Sequence, residues 1–113
     1  MNLQNGVIKN MLNVNEYIKL ILKKKKWTHK QFANAINEIK RKVDLDGKIT
    51  PQNISNFLNQ TDDKHILRPK QLCIWEKALG LNQGTLMSMV APPSTKEAKK
   101  ELNEIMKKVG EVQ

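Results

Sequence analysis

The chain has 113 residues, with 20 basic and 11 acidic side chains and a formal net charge of +9. That length gives one domain with one modest core, and the single Cys73 excludes an intramolecular disulfide. No signal-peptide pattern or apolar run of bilayer-spanning length appears, so a cytoplasmic protein without a membrane partner is expected.

The basic excess is uneven: residues 1–58 hold 11 basic and 4 acidic groups, residues 59–113 hold 9 and 7. A basic half points to a polyanionic partner, most often nucleic acid. Helical periodicity runs throughout, with no strand pattern or internal repeat. Residues 1–13, with Val7, Ile8, Met11 and Leu12, read as an N-terminal arm or a short lead-in helix. A firm helix is predicted from residue 14 to about residue 26, with Tyr17, Ile18, Ile21 and Leu22 on one side. Its last residues, Lys23 to Lys26, form the densest basic run. They either meet an anion or complement the negative end of the helix. Thr28 caps a second helix carrying Phe32, Ala33, Ile36, Ile39 and Val43, which Asp44-Leu45-Asp46-Gly47 breaks. Two aspartates beside a glycine are too few oxygen ligands for a calcium loop.

Residues 50–59, Thr-Pro-Gln-Asn-Ile-Ser-Asn-Phe-Leu-Asn, are the most informative stretch. Thr50 suits the N-cap and Pro51 the first helical position. Ile54, Phe57 and Leu58 repeat at the spacing of a buried stripe, which leaves Gln52, Asn53 and Asn56 opposite. An amide presents a donor and an acceptor side by side, the geometry that reads adenine in the major groove. A polar loop follows, and Pro69 opens a fourth helix through Leu72, Trp75, Ala78 and Leu79. Cys73 on it reads as a buried thiol. Gly80-Leu81 has the look of a glycine C-cap. A short fifth helix is predicted from Asn82, with Leu86, Met87, Met89 and Val90. Ala91-Pro92-Pro93 marks a boundary, and Ser94 with Glu97 is a capping box opening a last helix to about Val109. Its apolar face (Ala98, Leu102, Ile105, Met106, Val109) must bury itself on its own domain or on a second subunit.

In this order and spacing the segments resemble the lambda repressor/Cro-like (XRE-type) helix-turn-helix family. Thr28-His29-Lys30-Gln31-Phe32-Ala33 resembles its second-helix start, and Ile54-Ser55-Asn56-Phe57-Leu58-Asn59 its recognition helix. Leu72 through Leu86 resembles its fourth helix, turn and fifth helix. The resemblance implies an all-α, five-helix DNA-binding domain over residues 14–90, preceded by the arm and followed by a linker and amphipathic helix over 91–113. Two departures stand out. About eleven extra residues, 38–48, separate the second and third helices, so the second helix is expected to be lengthened. Pro51 replaces a residue that often contacts bases in the family.

By position, the resemblance implies base contacts from Gln52, Asn53, Ser55 and Asn56. It implies phosphate contacts from Thr28, His29, Lys30, Thr50 and Asn59, with Lys64 and Arg68 adding charge from the next loop. Lys40, Arg41 and Lys42 in the insert either touch phosphates as well or merely solvate a longer helix. A homodimer on paired half-sites is expected, through Leu86, Met87, Met89 and Val90 or through Leu102, Ile105, Met106 and Val109. The function implied is a sequence-specific double-stranded DNA-binding regulator, a repressor or control protein of a phage, plasmid or other mobile element. The alternative is a protein-interaction module on the same fold, an antirepressor or inhibitor of a host factor that works through the insert or the terminal helix. RNA binding ranks third. An enzyme is least expected: the 2 His and 1 Cys lie on separate elements, with no acid/base pair or metal spacing, and no cofactor is implied.

Overall fold

The computed structural model describes residues 13–59 and 68–112; the predicted lead-in segment before Asn13 and the loop carrying Lys64 lie outside them. Side chains start most of the helices. Asn13, Thr28, Thr50 and Thr95 each accept a hydrogen bond from the backbone N–H three residues ahead. That satisfies a donor for which the first turn offers no carbonyl. These caps open α1 (Val14–Lys25), α2 (His29–Lys42), α3 (Pro51–Leu58) and α5 (Lys96–Gly110). The remaining helix, α4 (Pro69–Ala78), starts on a proline without a side-chain cap. All regular structure among the described residues is helical.

Three helices end alike. The residue past the last turn is left-handed: Lys26 at φ 60°, Asp44 at 56° and Gly80 at 76°. The next N–H then reaches back five residues, Trp27 to Leu22 at 3.0 Å, Leu45 to Lys40 at 2.9 Å and Leu81 to Glu76 at 2.9 Å. This is the Schellman arrangement, which glycine favours. A residue with a Cβ there carries a cost of about 1–2 kcal/mol, and Lys26 and Asp44 both bear it.

Packing follows the apolar stripes. α2 lies against α3 and α4, α1 against α3, and α5 against α4. Ile18, Phe32, Ile36, Ile54 and Leu72 are fully buried. Trp75 joins the elements: the Phe32 ring meets its indole edge-on at 5.0 Å and the Phe57 ring at 5.3 Å. One side chain of α4 thus holds both α2 and α3. The start of α1 is fixed to the end of α3, because Asn15 Nδ2 donates to the Phe57 carbonyl at 2.9 Å.

The second helix runs on to Lys42, and its own side chains hold the segment that follows it. Asn37 Nδ2 donates to the Ile49 carbonyl at 2.9 Å, and its Oδ1 accepts from the Ile49 N–H at 2.8 Å. Lys40 Nζ donates to the Gly47 carbonyl at 2.6 Å. The chain therefore re-enters α3 at a fixed point, one residue before the Thr50 cap.

Two expectations fail. The stretch from Asn82 is not an α-helix but a series of turns ending in a 3-10 turn, Met87–Met89. Gly84 at φ 97° interrupts it. The Glu76 carboxylate takes its N–H groups, Gly84 at 2.7 Å, Leu86 at 2.8 Å and Met87 at 3.4 Å. Those donors are then unavailable to an α-helical ladder. The last helix also starts one residue late: Thr95, not Ser94, accepts from Ala98 N–H, at 3.1 Å, so the predicted Ser94–Glu97 box is not formed.

Cys73 is buried as expected. Burial, reinforced by the nearby Glu76 carboxylate and opposed by the Gln83 amide, pushes its thiol up to about 11. The folded state holds the proton more tightly than the unfolded chain does. That contribution is complete below the ordinary thiol value near 9 and is lost as pH rises to about 11. The expected loss over that window is about 2 kcal/mol, seen as the difference between the native and Cys73→Ala proteins in urea melts at pH 8 and pH 11. Parallel curves for the two proteins would refute it.

Candidate nucleic-acid interface

The outward side of α3 carries no charge. Ile54, Phe57 and Leu58 are buried against the core. At about 100° per residue, Gln52, Ser55, Asn56 and Asn59 fall on one stripe opposite them. Gln52, Asn56 and Asn59 are exposed, and Ser55 is half-buried. Hydrogen bonds one turn apart order them in two pairs. Gln52 Nε2 donates to Asn56 Oδ1 at 2.8 Å, and Asn59 Nδ2 donates to Ser55 Oγ at 3.3 Å. Left facing outward are the Gln52 Oε1 acceptor, the Asn56 Nδ2 donors, the Asn59 Oδ1 acceptor and the Ser55 hydroxyl. Donors and acceptors alternate along a rigid support, which is the chemistry that base edges demand.

Asn53 is not one of this set. Its Oδ1 accepts from the Thr50 N–H at 3.0 Å, while Thr50 Oγ accepts from the Asn53 N–H at 3.1 Å. The two residues form a reciprocal capping box, with an asparagine where glutamate or glutamine is usual. Asn53 is therefore a helix starter with its Oδ1 occupied, and its side chain is exposed. The Thr50-X-X-Asn53 spacing carried that signal.

At the start of α2, Thr28 and Gln31 make the same kind of box, at 2.8 and 3.1 Å. Gln31 was legible only as part of a motif, not in this role. The box leaves the N–H groups of His29 and Lys30 without a partner among the described residues, where the helix dipole favours an anion. Lys30 is exposed and His29 half-buried. Arg68 is exposed at the cap position of α4; Lys64 falls outside the described residues.

The insert cations are engaged within the insert. Arg41 pairs with Glu38 at 2.5 Å and Lys42 approaches the same carboxylate at 3.9 Å. The hydrogen bond from Arg41 holds the Glu38 carboxyl below its ordinary range. Lys40 is bound to Gly47. Within the chain, then, Lys40 closes the segment after α2, and Arg41 and Lys42 pair with Glu38 at the surface.

The proposed dimer residues divide. Leu86, Ile105 and Val109 are buried in the core of their own chain, which withdraws them as subunit contacts. Met87, Met89, Val90 and Met106 pack partly against that core, and Leu102 is half-buried. The stripe of α5 is covered by α4, and polar bonds hold it there: Gln83 Nε2 donates to the Met106 carbonyl at 2.9 Å, and Lys70 pairs with Glu101 at 3.2 Å. The terminal helix thus completes its own protomer.

Among the described residues no three of His, Cys, Asp and Glu gather as a metal set, and no helix is long and apolar enough to cross a membrane. No protein-family model matches the chain, and neither the curated proteins nor the solved structures contain a match.

Proposed function

We propose that this chain is a sequence-specific regulator that binds double-stranded DNA through a lambda-repressor-like helix-turn-helix domain. α3 enters the major groove, and α2 crosses the phosphate backbone with its N-terminus toward the strand. The observation that carries this reading is the uncharged stripe of Gln52, Ser55, Asn56 and Asn59, exposed on a helix anchored by Ile54, Phe57 and Leu58. α3 holds no lysine although the chain carries a net charge of +9. Gln52 and Asn56 read base edges, Ser55 and Asn59 flank them, and Thr28, His29 and Lys30 grip phosphate. Met87, Met89 and Val90, with Leu102 and Met106, are the half-buried apolar residues left for a two-fold partner, and paired half-sites would then lie about one helical turn apart.

The test is selection of duplexes from a random pool by the native protein and by the Gln52→Ala/Asn56→Ala protein. The native protein is expected to enrich one motif and to bind less tightly as salt rises. The double variant should melt like the native protein but lose preference at the contacted positions, about 1–3 kcal/mol for each. Retention of the motif by the variant would remove these residues as readers. No binding at low salt would turn the case toward a protein partner.

A further inference from the structure

The lysine run that ends α1 divides under inspection. Lys25 has a structural place: its ammonium lies 5.2 Å from the centre of the Trp27 ring and beside Gly80 at the end of α4. Lys23, Lys24 and Lys26 are exposed, and no acidic side chain among the described residues pairs with any of them. The dipole of α1 accounts for cations in its last turn, Lys23 to Lys25. It acts on Lys26 too, at the C-cap, but there the left-handed conformation costs more than an exposed dipole contact contributes. At the equivalent position after α4 the chain uses Gly80, the residue best suited to it. A fourth consecutive cation adds repulsion as well as backbone cost, so local stability does not explain this lysine.

We infer that Lys23, Lys24 and Lys26 form a basic elbow that holds the phosphodiester backbone of the same duplex that α3 reads. The inference rests on the DNA-binding reading above and extends its phosphate contacts back into α1. Lys26 precedes Thr28 by two residues, so its Cα lies within about 8 Å of the cap of α2. The elbow thus continues the backbone-facing end of α2 and adds exposed lysine side chains to it. Its contribution is independent of sequence and depends on salt, because each lysine that meets a phosphate releases counterions.

The experiment measures affinity for the selected duplex between about 0.05 and 0.2 M salt, a range over which counterion release is large. It uses the full chain and the variants Lys26→Gly, Lys26→Asn, Lys23→Gln/Lys24→Gln and Lys100→Gln. Glycine and asparagine both tolerate the left-handed backbone, so Lys26→Gly and Lys26→Asn should melt at or above the native temperature. They should nevertheless bind about threefold more weakly near 0.1 M salt, with the slope of log K against log salt shallower by about 0.9. The double glutamine variant should lose more. The motif selected should not change. Lys100, exposed on α5, lowers the net charge by the same unit, and its variant should keep the native slope. Native affinity and slope in the Lys26 variants would overturn the elbow while leaving the reading helix intact. An equal loss in Lys100→Gln would overturn it too, assigning the effect to net charge. If the native chain fails to bind duplex DNA at all, both this inference and the reading beneath it fall.

Discussion

Trp75→Ala is expected to destabilise the fold by about 3–5 kcal/mol, a large share of what a domain of this size has to lose. The indole is 3% exposed and stands between the Phe32 and Phe57 rings. Removing it creates a cavity among three helices and deletes two edge-on ring contacts. The neighbours cannot close the gap cheaply. Phe32 sits on α2, tied to the insert by Asn37, and Phe57 sits on α3, whose end is tied to α1 by Asn15. Trp75→Phe keeps an aromatic edge and should lose clearly less. Urea melts of both variants, followed by far-UV circular dichroism, make the comparison. A cost below about 1 kcal/mol for the alanine variant would mean that α4 does not support α3 as described. Because the stripe of Gln52 and Asn56 is only as rigid as that support, the proposed DNA-binding reading further expects selectivity to weaken in Trp75→Phe even where the protein remains folded.

Local chemistry was the legible part. Thr28, Thr50 and Pro69 announced helix starts because a cap acts on its own next turn, and Gly80-Leu81 announced an end for the same reason. Adjacent hydroxyls were already ambiguous. Ser94 and Thr95 can each cap, and a one-residue choice between them differs by little locally, so the packing of Ile105 and Val109 has room to decide it. The amphipathic face of α5 stated that something must cover it, not that α4 does. The cap role of Asn53 was not fully legible, because an amide serves a cap as readily as a base, and it is the observed bond to Thr50 that reveals it. The segment from Asn82 kept a helical pattern of apolar residues. Gly84 was a local hint of a break, but the carboxylate that takes the N–H groups comes from another element, and no local rule reports that.

That carboxylate gives the second large expectation. Glu76 is 1% exposed, and its two oxygens accept three backbone N–H groups, Oε1 from Gly84 and Oε2 from Leu86 and Met87. Glutamine has the same shape but only one acceptor. Whichever way its amide is turned, an N–H donor faces a backbone donor, and at least one of these part-buried or buried N–H groups loses its partner. Glu76→Gln should therefore cost about 2–4 kcal/mol, since bonds to a charged acceptor and an orphaned donor both count against it. The damage should begin locally. Amide exchange at Gly84 and Leu86 is expected to quicken before the amides of α2 and α3 respond, because the turn takes three N–H bonds from one side chain while those helices have their own ladders. Met87, Met89 and Val90 would then lose their placement, so any self-association of the chain should weaken in the same variant, while a Gln52→Ala/Asn56→Ala protein should associate as the native one does. A Glu76→Gln protein as stable as the native one, with Gly84 and Leu86 still protected, would show that the turn is held by its own packing and that the carboxylate merely fills the space.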